Sequence, residues 1–329
     1  MNSRTVRRTS LALIAALGAA LRLNAQAPAT VHMPGGGGRT LGGFTYVPLS
    51  TIPLPFVGTS FTSSVGGAMA FNIIEPTIVD VGGTTDTLLP AGNLAFATVE
   101  MAYQQNIKRR FAVRGAATLN VRTGTNARLL FAEGISGLTY FSIGGLATLH
   151  RSEHAMLTGT VDLRRGNLTE LTPKEFAQYV GDWGIDSVAH WGDHLLQDRK
   201  NGRVVAGLRG AWVPKPWLGL SSIIEGGPAD LYEKGSVFGL QAGVSGNVDF
   251  RKLKGRVPVA LGLGLSTTRA PSRADDIFGN LNTLNLGLYY SGRDEFAIGF
   301  DTQWSRAHLV NANETVSLSA FRFVLRYDF

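Results

Sequence analysis

Six histidines and no cysteine set the limits on side-chain chemistry in this chain of 329 residues. Without cysteine there is no disulfide, no thiolate metal site, no cysteine nucleophile and no lipidated N-terminal cysteine. His190 and His194 stand four apart in IDSVAHWGDHLLQDRK, the helical spacing that lets two imidazoles share a metal, with Asp193 and Asp198 nearby. No glutamate follows His190 as in HExxH, so that protease mechanism is absent; solvated histidines on an amphipathic helix explain the pair, and no metal or cofactor is expected. His150 and His154 flank HRSEH, where Ser152 and Glu153 invite a lipid-hydrolase reading, but the four residues crowd one tight turn and no catalytic residue is assigned. GGGGRT lacks the GK[ST] lysine and the following helix of a phosphate loop.

The elements that would position any site begin behind an expected signal peptide. Residues 1–29 carry Arg4, Arg7 and Arg8, then LALIAALGAAL, then small residues around Ala25, Ala27 and Ala29. Removing this stretch takes away four arginines and leaves 27 bases against 24 acids, about +3. No basic patch of the kind nucleic acid requires then remains. Charged residues are 17%, below the roughly 25% of soluble domains. No apolar run approaches the ~20 residues of a spanning helix.

Period-two alternation dominates the rest. Phe111, Val113, Ala117, Leu119 and Val121 share one face against Arg110, Arg114, Thr118, Asn120 and Arg122. Phe296, Ile298, Phe300 and Trp304 likewise oppose Glu295, Asp301, Gln303 and Ser305. Twelve segments of this kind fit between residues 61 and 329, most of them about twice the length of a common globular strand. Short links (QNIKR, RSE, PKP, KLKG, SGRD) alternate with long ones. This predicts an all-β, transmembrane, up-and-down antiparallel β-barrel of about 12 strands, with 14 as the alternative, since such barrels have short turns at one end and long loops at the other. Phe61, Tyr103, Phe111, Trp212, Phe250, Tyr290, Phe296, Tyr327 and Phe329 would then lie at the short-turn rim.

The chain resembles Gram-negative outer-membrane β-barrel proteins over about residues 60–329. The most specific likeness is its end, where Phe323, Leu325, Tyr327 and Phe329 resemble the C-terminal signal that the barrel-assembly machinery recognises. The resemblance implies residence in the outer membrane, contact with its lipid and a partner in that machinery. A Gly/Pro-rich stretch at 30–60 precedes the first strand, and Phe44, Tyr46, Val47, Leu54 and Phe56 within it would be costly to leave in water. It is expected to be a partial plug, with a flexible leader as the alternative. An N-terminal plug is similar to that of the FadL hydrophobic-compound transporters, although the Asn-Pro-Ala start of that family is missing here.

The long loop at 166–201 is expected to hold short helices that constrict the mouth, through Glu175, Phe176, Tyr179, Trp183 and Trp191, or to lie as a lid on its neighbours. The parity opposite the apolar one lines the lumen. It supplies Glu100, Arg110, Arg114, Arg122, Asp162, Arg164, Arg203, Arg209, Asp249, Asp301, Arg322 and Arg326, together with Glu225, Glu295 and Asp328. Two arrangements fit those charges: a salt-bridged, narrow interior or a water-filled path with segregated signs. The functional expectation is a non-enzymatic channel or transporter for small or hydrophobic solutes. A closed-lumen structural or assembly protein that binds a protein partner is the alternative, and a lipid hydrolase the remote one.

Overall fold

Strands that alternate apolar and polar residues have two usable faces, and a sheet of them leaves no unpaired edge only by closing on itself. The computed structural model describes residues 38–74, 77–81, 84–88, 91–126, 130, 134–171, 196–228, 238–255, 257–269, 278–309 and 315–329. Within it, β1 (Thr40–Leu41) and β2 (Phe44–Thr45) form a small hairpin. The long strands are β3 (Ser60–Ile74), β6 (Ala91–Lys108), β7 (Phe111–Gly124), β8 (Ile135–Arg151), β9 (Ala155–Leu171) and β10 (Leu196–Lys215), then β11 (Leu218–Pro228), β12 (Phe238–Asp249), β13 (Val259–Arg269), β14 (Phe278–Tyr290), β15 (Phe296–Leu309) and β16 (Thr315–Asp328). These twelve form a closed antiparallel barrel, each paired with its neighbour along the chain, and β16 closes on β3 with Phe323 opposite Val65 and Asp328 opposite Ser60. Two further strands, β4 (Thr77–Val81) and β5 (Thr84–Leu88), make a separate hairpin between β3 and β6, so the barrel has 12 strands rather than 14.

The parity is regular around the wall. Val65, Val113, Leu163, Leu208, Val244, Leu265, Leu286 and Phe321 point outward and are exposed, while Ser64, Asp162, Arg209, Ser245, Asn285 and Asp301 point inward and are buried. Phe300 stacks against Phe321 at 5.5 Å and meets Phe323 at 5.4 Å on that outer face. Phe111, Trp212, Tyr290, Tyr327 and Phe329 are exposed at the short-turn end, and Phe238 and Trp304 toward the long-loop end.

Several boundaries move. β9 and β10 stay in register from Trp212 opposite Ala155 out to Leu196 opposite Leu171, so the connection is 172–195 rather than 166–201. A ladder needs backbone groups rather than apolar side chains, so the strands outlast the alternation that marks them in sequence. The turn after β12 is a short helix, α1 (Phe250–Lys254), so Phe250 belongs to the turn. Asp249 caps it by accepting from the Arg251 amide at 3.0 Å, and Gly255 closes it at φ 71°, a conformation that suits a residue without a Cβ.

Residues 38–59 run inside the barrel. Phe44, Tyr46, Leu54 and Phe56 are buried against Leu146, Met156, Ala211 and Val213, near the short-turn ends of β8, β9 and β10. Val47 and Leu49 pack on Ala260, Tyr289, Ala297 and Val324. Phe44 and Tyr46 meet edge to face at 5.0 Å. Burying a large apolar side chain contributes about 2 kcal/mol, so these residues give the segment a strong preference for the interior. The wall opposite them carries glycine. A Cβ on Gly264 would stand 2.9 Å from Ile52 Cδ1, and one on Gly287 2.7 Å from Leu49 Cδ2, so the strands lose side chains where the segment lies.

Candidate functional site

The interior is organised by what holds residues 38–59. Arg39 is fully buried and donates to Asp328 Oδ2 at 3.0 Å, to the Tyr46 carbonyl at 2.5 Å and to the Phe296 carbonyl at 2.6 Å. Burial brings its pKa down to about 10 against the pull of the Asp328 charge, so it stays a cation at neutral pH. Thr45 Oγ donates to Asp294 in the β14–β15 turn at 2.8 Å. The Ser50 amide donates to Asp301 Oδ2 at 2.8 Å, Thr51 bonds Asn285, and the Pro55 carbonyl accepts from Thr158 at 2.6 Å. Gln104 donates to the carbonyls of Phe56 and Gly58. Beyond the short β1–β2 hairpin this Gly/Pro-rich segment makes no regular ladder of its own, so wall side chains satisfy backbone groups along the rest of it.

Beside this segment lies a chamber of about 500 Å³ bounded by Pro48, Leu49, Ser50, Thr51, Pro53 and Leu54 and walled by β3, β6–β12 and β16. Its charged lining is Glu100, Arg114, Arg164, Arg203, Arg209, Glu225, Arg322 and Arg326. On β7, β9, β10 and β11 the groups form one network. Arg114 grips both oxygens of Asp162, its Nε at 2.8 Å; Arg164 reaches Asp162 at 3.4 Å and Glu225 at 2.8 Å; Arg209 reaches Glu225 at 3.5 Å. On β16, Arg322 approaches Glu100 at 3.6 Å and Arg326 holds Asp328 at 2.8 Å. A larger concavity of about 1110 Å³, lined by Leu208, Ile224, Leu265 and Trp304 among others, lies on the outward face and is no part of the lumen.

The remaining expected residues have other places. Arg110 is exposed in the tight turn between β6 and β7, because that strand begins at Phe111, so it does not line the lumen; Glu295 is likewise exposed in the β14–β15 turn. Asp249 braces the α1 turn and accepts from Ser291, and Asp301 anchors Ser50, so both hold structure rather than face the chamber. Arg122 donates to Ser136 away from the chamber. Glu175, Phe176, Tyr179, Trp183, His190, Trp191 and His194 lie outside the described residues, with the helices expected around them. Ser152 Oγ is bonded to the backbone of Ala155 within its own turn, and no imidazole engages it among the described residues. Phe323, Leu325, Tyr327 and Phe329 project from the outer side of β16, and the Phe329 amide donates to the Thr59 carbonyl at 3.0 Å. Arg39, Thr45 and Asp294 escaped sequence reasoning; the one available signal was an arginine set in a glycine-rich stretch just before the apolar FTYV.

A closed, twelve-stranded wall that is apolar outside and charged inside is decisive for architecture. The fold is that of the outer-membrane β-barrels. No family model and no curated protein matches the sequence. Among solved structures, a FadL homologue of Pseudomonas aeruginosa is 11% identical with a TM-score of 0.46, covering 92% of this chain and 99% of that one. The translocator domain of the autotransporter NalP from Neisseria meningitidis is 9% identical with a TM-score of 0.47, covering 84% and 90%. The KdgM porin in complex with disordered oligogalacturonate is 10% identical with a TM-score of 0.40, covering 81% and 99%.

Proposed function

We propose that this chain is an outer-membrane barrel that passes small polar solutes by diffusion through its lumen and performs no covalent chemistry. The observation that carries this reading is the polar, charged chamber of about 500 Å³ inside a closed wall, within the range of small-molecule sites. The chamber lining favours polar over hydrophobic solutes. Segment 38–59 acts as the plug that restricts the short-turn end. Export by the signal peptide, residence in the outer membrane and assembly through the C-terminal aromatic residues belong to the same reading.

That plug also favours a second reading, a closed barrel that serves as a structural or assembly protein and binds a protein partner. Planar-bilayer recordings separate the two. A transport barrel shows small openings as wild type and larger ones after deletion of residues 38–59. Silence of both proteins, with each shown to be inserted, rejects passage and leaves the closed barrel.

A further inference from the structure

The chamber's ion pairs are uneven in count and in depth. Two carboxylates, Asp162 and Glu225, serve Arg114, Arg164 and Arg209, and Arg203 on the same wall makes no ion pair or hydrogen bond among the described residues. On β16, Asp328 is shared between Arg326 and the buried Arg39, while Arg322 leans on Glu100. Depth is as telling. The side chains of Asp162, Glu225 and Asp328 are 0%, 3% and 3% exposed, whereas Arg114, Arg164 and Arg322 are 21%, 23% and 20% exposed. Asp162, Glu225 and Asp328 therefore sit back in the wall while Arg114, Arg164 and Arg322 stand forward; Arg209 at 2% lies back with the acids, and Glu100 at 35% is the one chamber acid among the described residues that stands forward with the arginines.

We propose that this chamber is a binding site for a small, multiply charged oxyanion, carboxylate or phosphate. A surplus of arginine around a confined space is repulsive until an anion offsets it. Guanidinium forks fit the oxygens of carboxylates and phosphates two at a time, which makes arginine the side chain suited to such a guest. The two walls supply cations from different strands, and Thr62, Ser64, Thr118 and Ser142 add short polar groups between them. Arg203 is the group most free to turn to a guest, because moving it breaks no pair among the described residues. The inference rests on the lumen being a solute path only in naming what would travel there; binding itself is independent of passage.

The test is calorimetric titration of the full-length protein in detergent at low salt, with citrate in one arm and pyrophosphate in the other. Wild type binds at least one probe, and Arg203→Gln weakens that binding about tenfold or more, as expected for lost charge-assisted hydrogen bonds. Arg110→Gln, on the exposed turn, binds like wild type. Heat-modifiable gel mobility verifies that each variant is folded, and Arg322→Gln provides a second variant on the opposite wall. Binding of citrate alone assigns carboxylates, of pyrophosphate alone phosphates, and of both a general oxyanion site. Absence of binding to either probe, or Arg203→Gln and Arg322→Gln variants that are folded and unaltered in affinity, overturns the proposal. Bilayer silence alongside binding overturns solute passage and leaves the site; conductance without binding overturns the site and leaves the channel.

Discussion

Replacing Arg39 by Ala should release the plug while the barrel stays closed. The side chain is fully buried, with Asp328 and the Tyr46 and Phe296 carbonyls within 3.0 Å. Breaking a buried ion pair typically costs about 3–5 kcal/mol when the partner is left alone. Here Asp328 keeps Arg326 at 2.8 Å, which brings the loss toward the lower figure. The stranded carbonyls add about 1 kcal/mol or more, and polar reach of water into the emptied space returns part of it. A net change of about 3 kcal/mol moves the docked-to-undocked balance roughly a hundredfold. Hydrogen exchange at the Tyr46 amide, which donates to the Arg39 carbonyl at 3.0 Å, should accelerate by that order. Amides in β12–β14 should keep their rates, since none of the Arg39 partners lies there. Arg39→Lys keeps the charge without the fork and should fall between the two. An unchanged Tyr46 rate in Arg39→Ala would refute the latch, and equal acceleration throughout the wall would show that Arg39 holds the barrel rather than the plug.

Gly264→Val places methyl groups against Ile52 and should weaken plug docking by about 1–3 kcal/mol, read by protease cleavage within 38–59 at unchanged barrel mobility on a gel. The Asp294 carboxyl is pushed up by partial burial, but Thr45 and Arg251 outweigh this and leave its pKa below the ordinary carboxylate value. A lowered acid pKa gives stability that is present above the unfolded value of roughly 3.9 and disappears as pH falls through the folded one. Exchange at Thr45 should therefore be insensitive to this group between pH 8 and 5 and rise only under strong acid, and Asp294→Asn should abolish that rise. Deleting Phe329 removes an aromatic that meets Tyr327 at 4.8 Å and the amide that bonds Thr59; membrane insertion in cells should drop far more than with Arg326→Ala, and equal losses would count against a terminal assembly signal.

The amino-acid sequence alone determined the local facts: strand type, which parity is apolar, that short and long links alternate, and that residues 321–328 lie in an aromatic strand. Each of these depends on residues two to ten positions apart, because a pleated strand between lipid and lumen writes its two environments into alternate side chains. It also showed that Phe44, Tyr46, Leu54 and Phe56 needed cover. It did not show where the cover was, since Met156, Ala211 and Val213 lie a hundred or more residues away. The charges divide in the same manner. Parity names Arg114, Arg164, Arg209 and Arg322, but only the pairing of β9, β10 and β11 brings Arg164 to Glu225, and only the seating of residues 38–59 inside the barrel brings Arg39 to Asp328, 289 positions apart. Tertiary structure decided which carboxylates are spent on anchoring and pairing, and hence that the space left over is lined by arginine. Coulomb interactions depend on distance across the lumen, and that distance exists only once β16 has met β3.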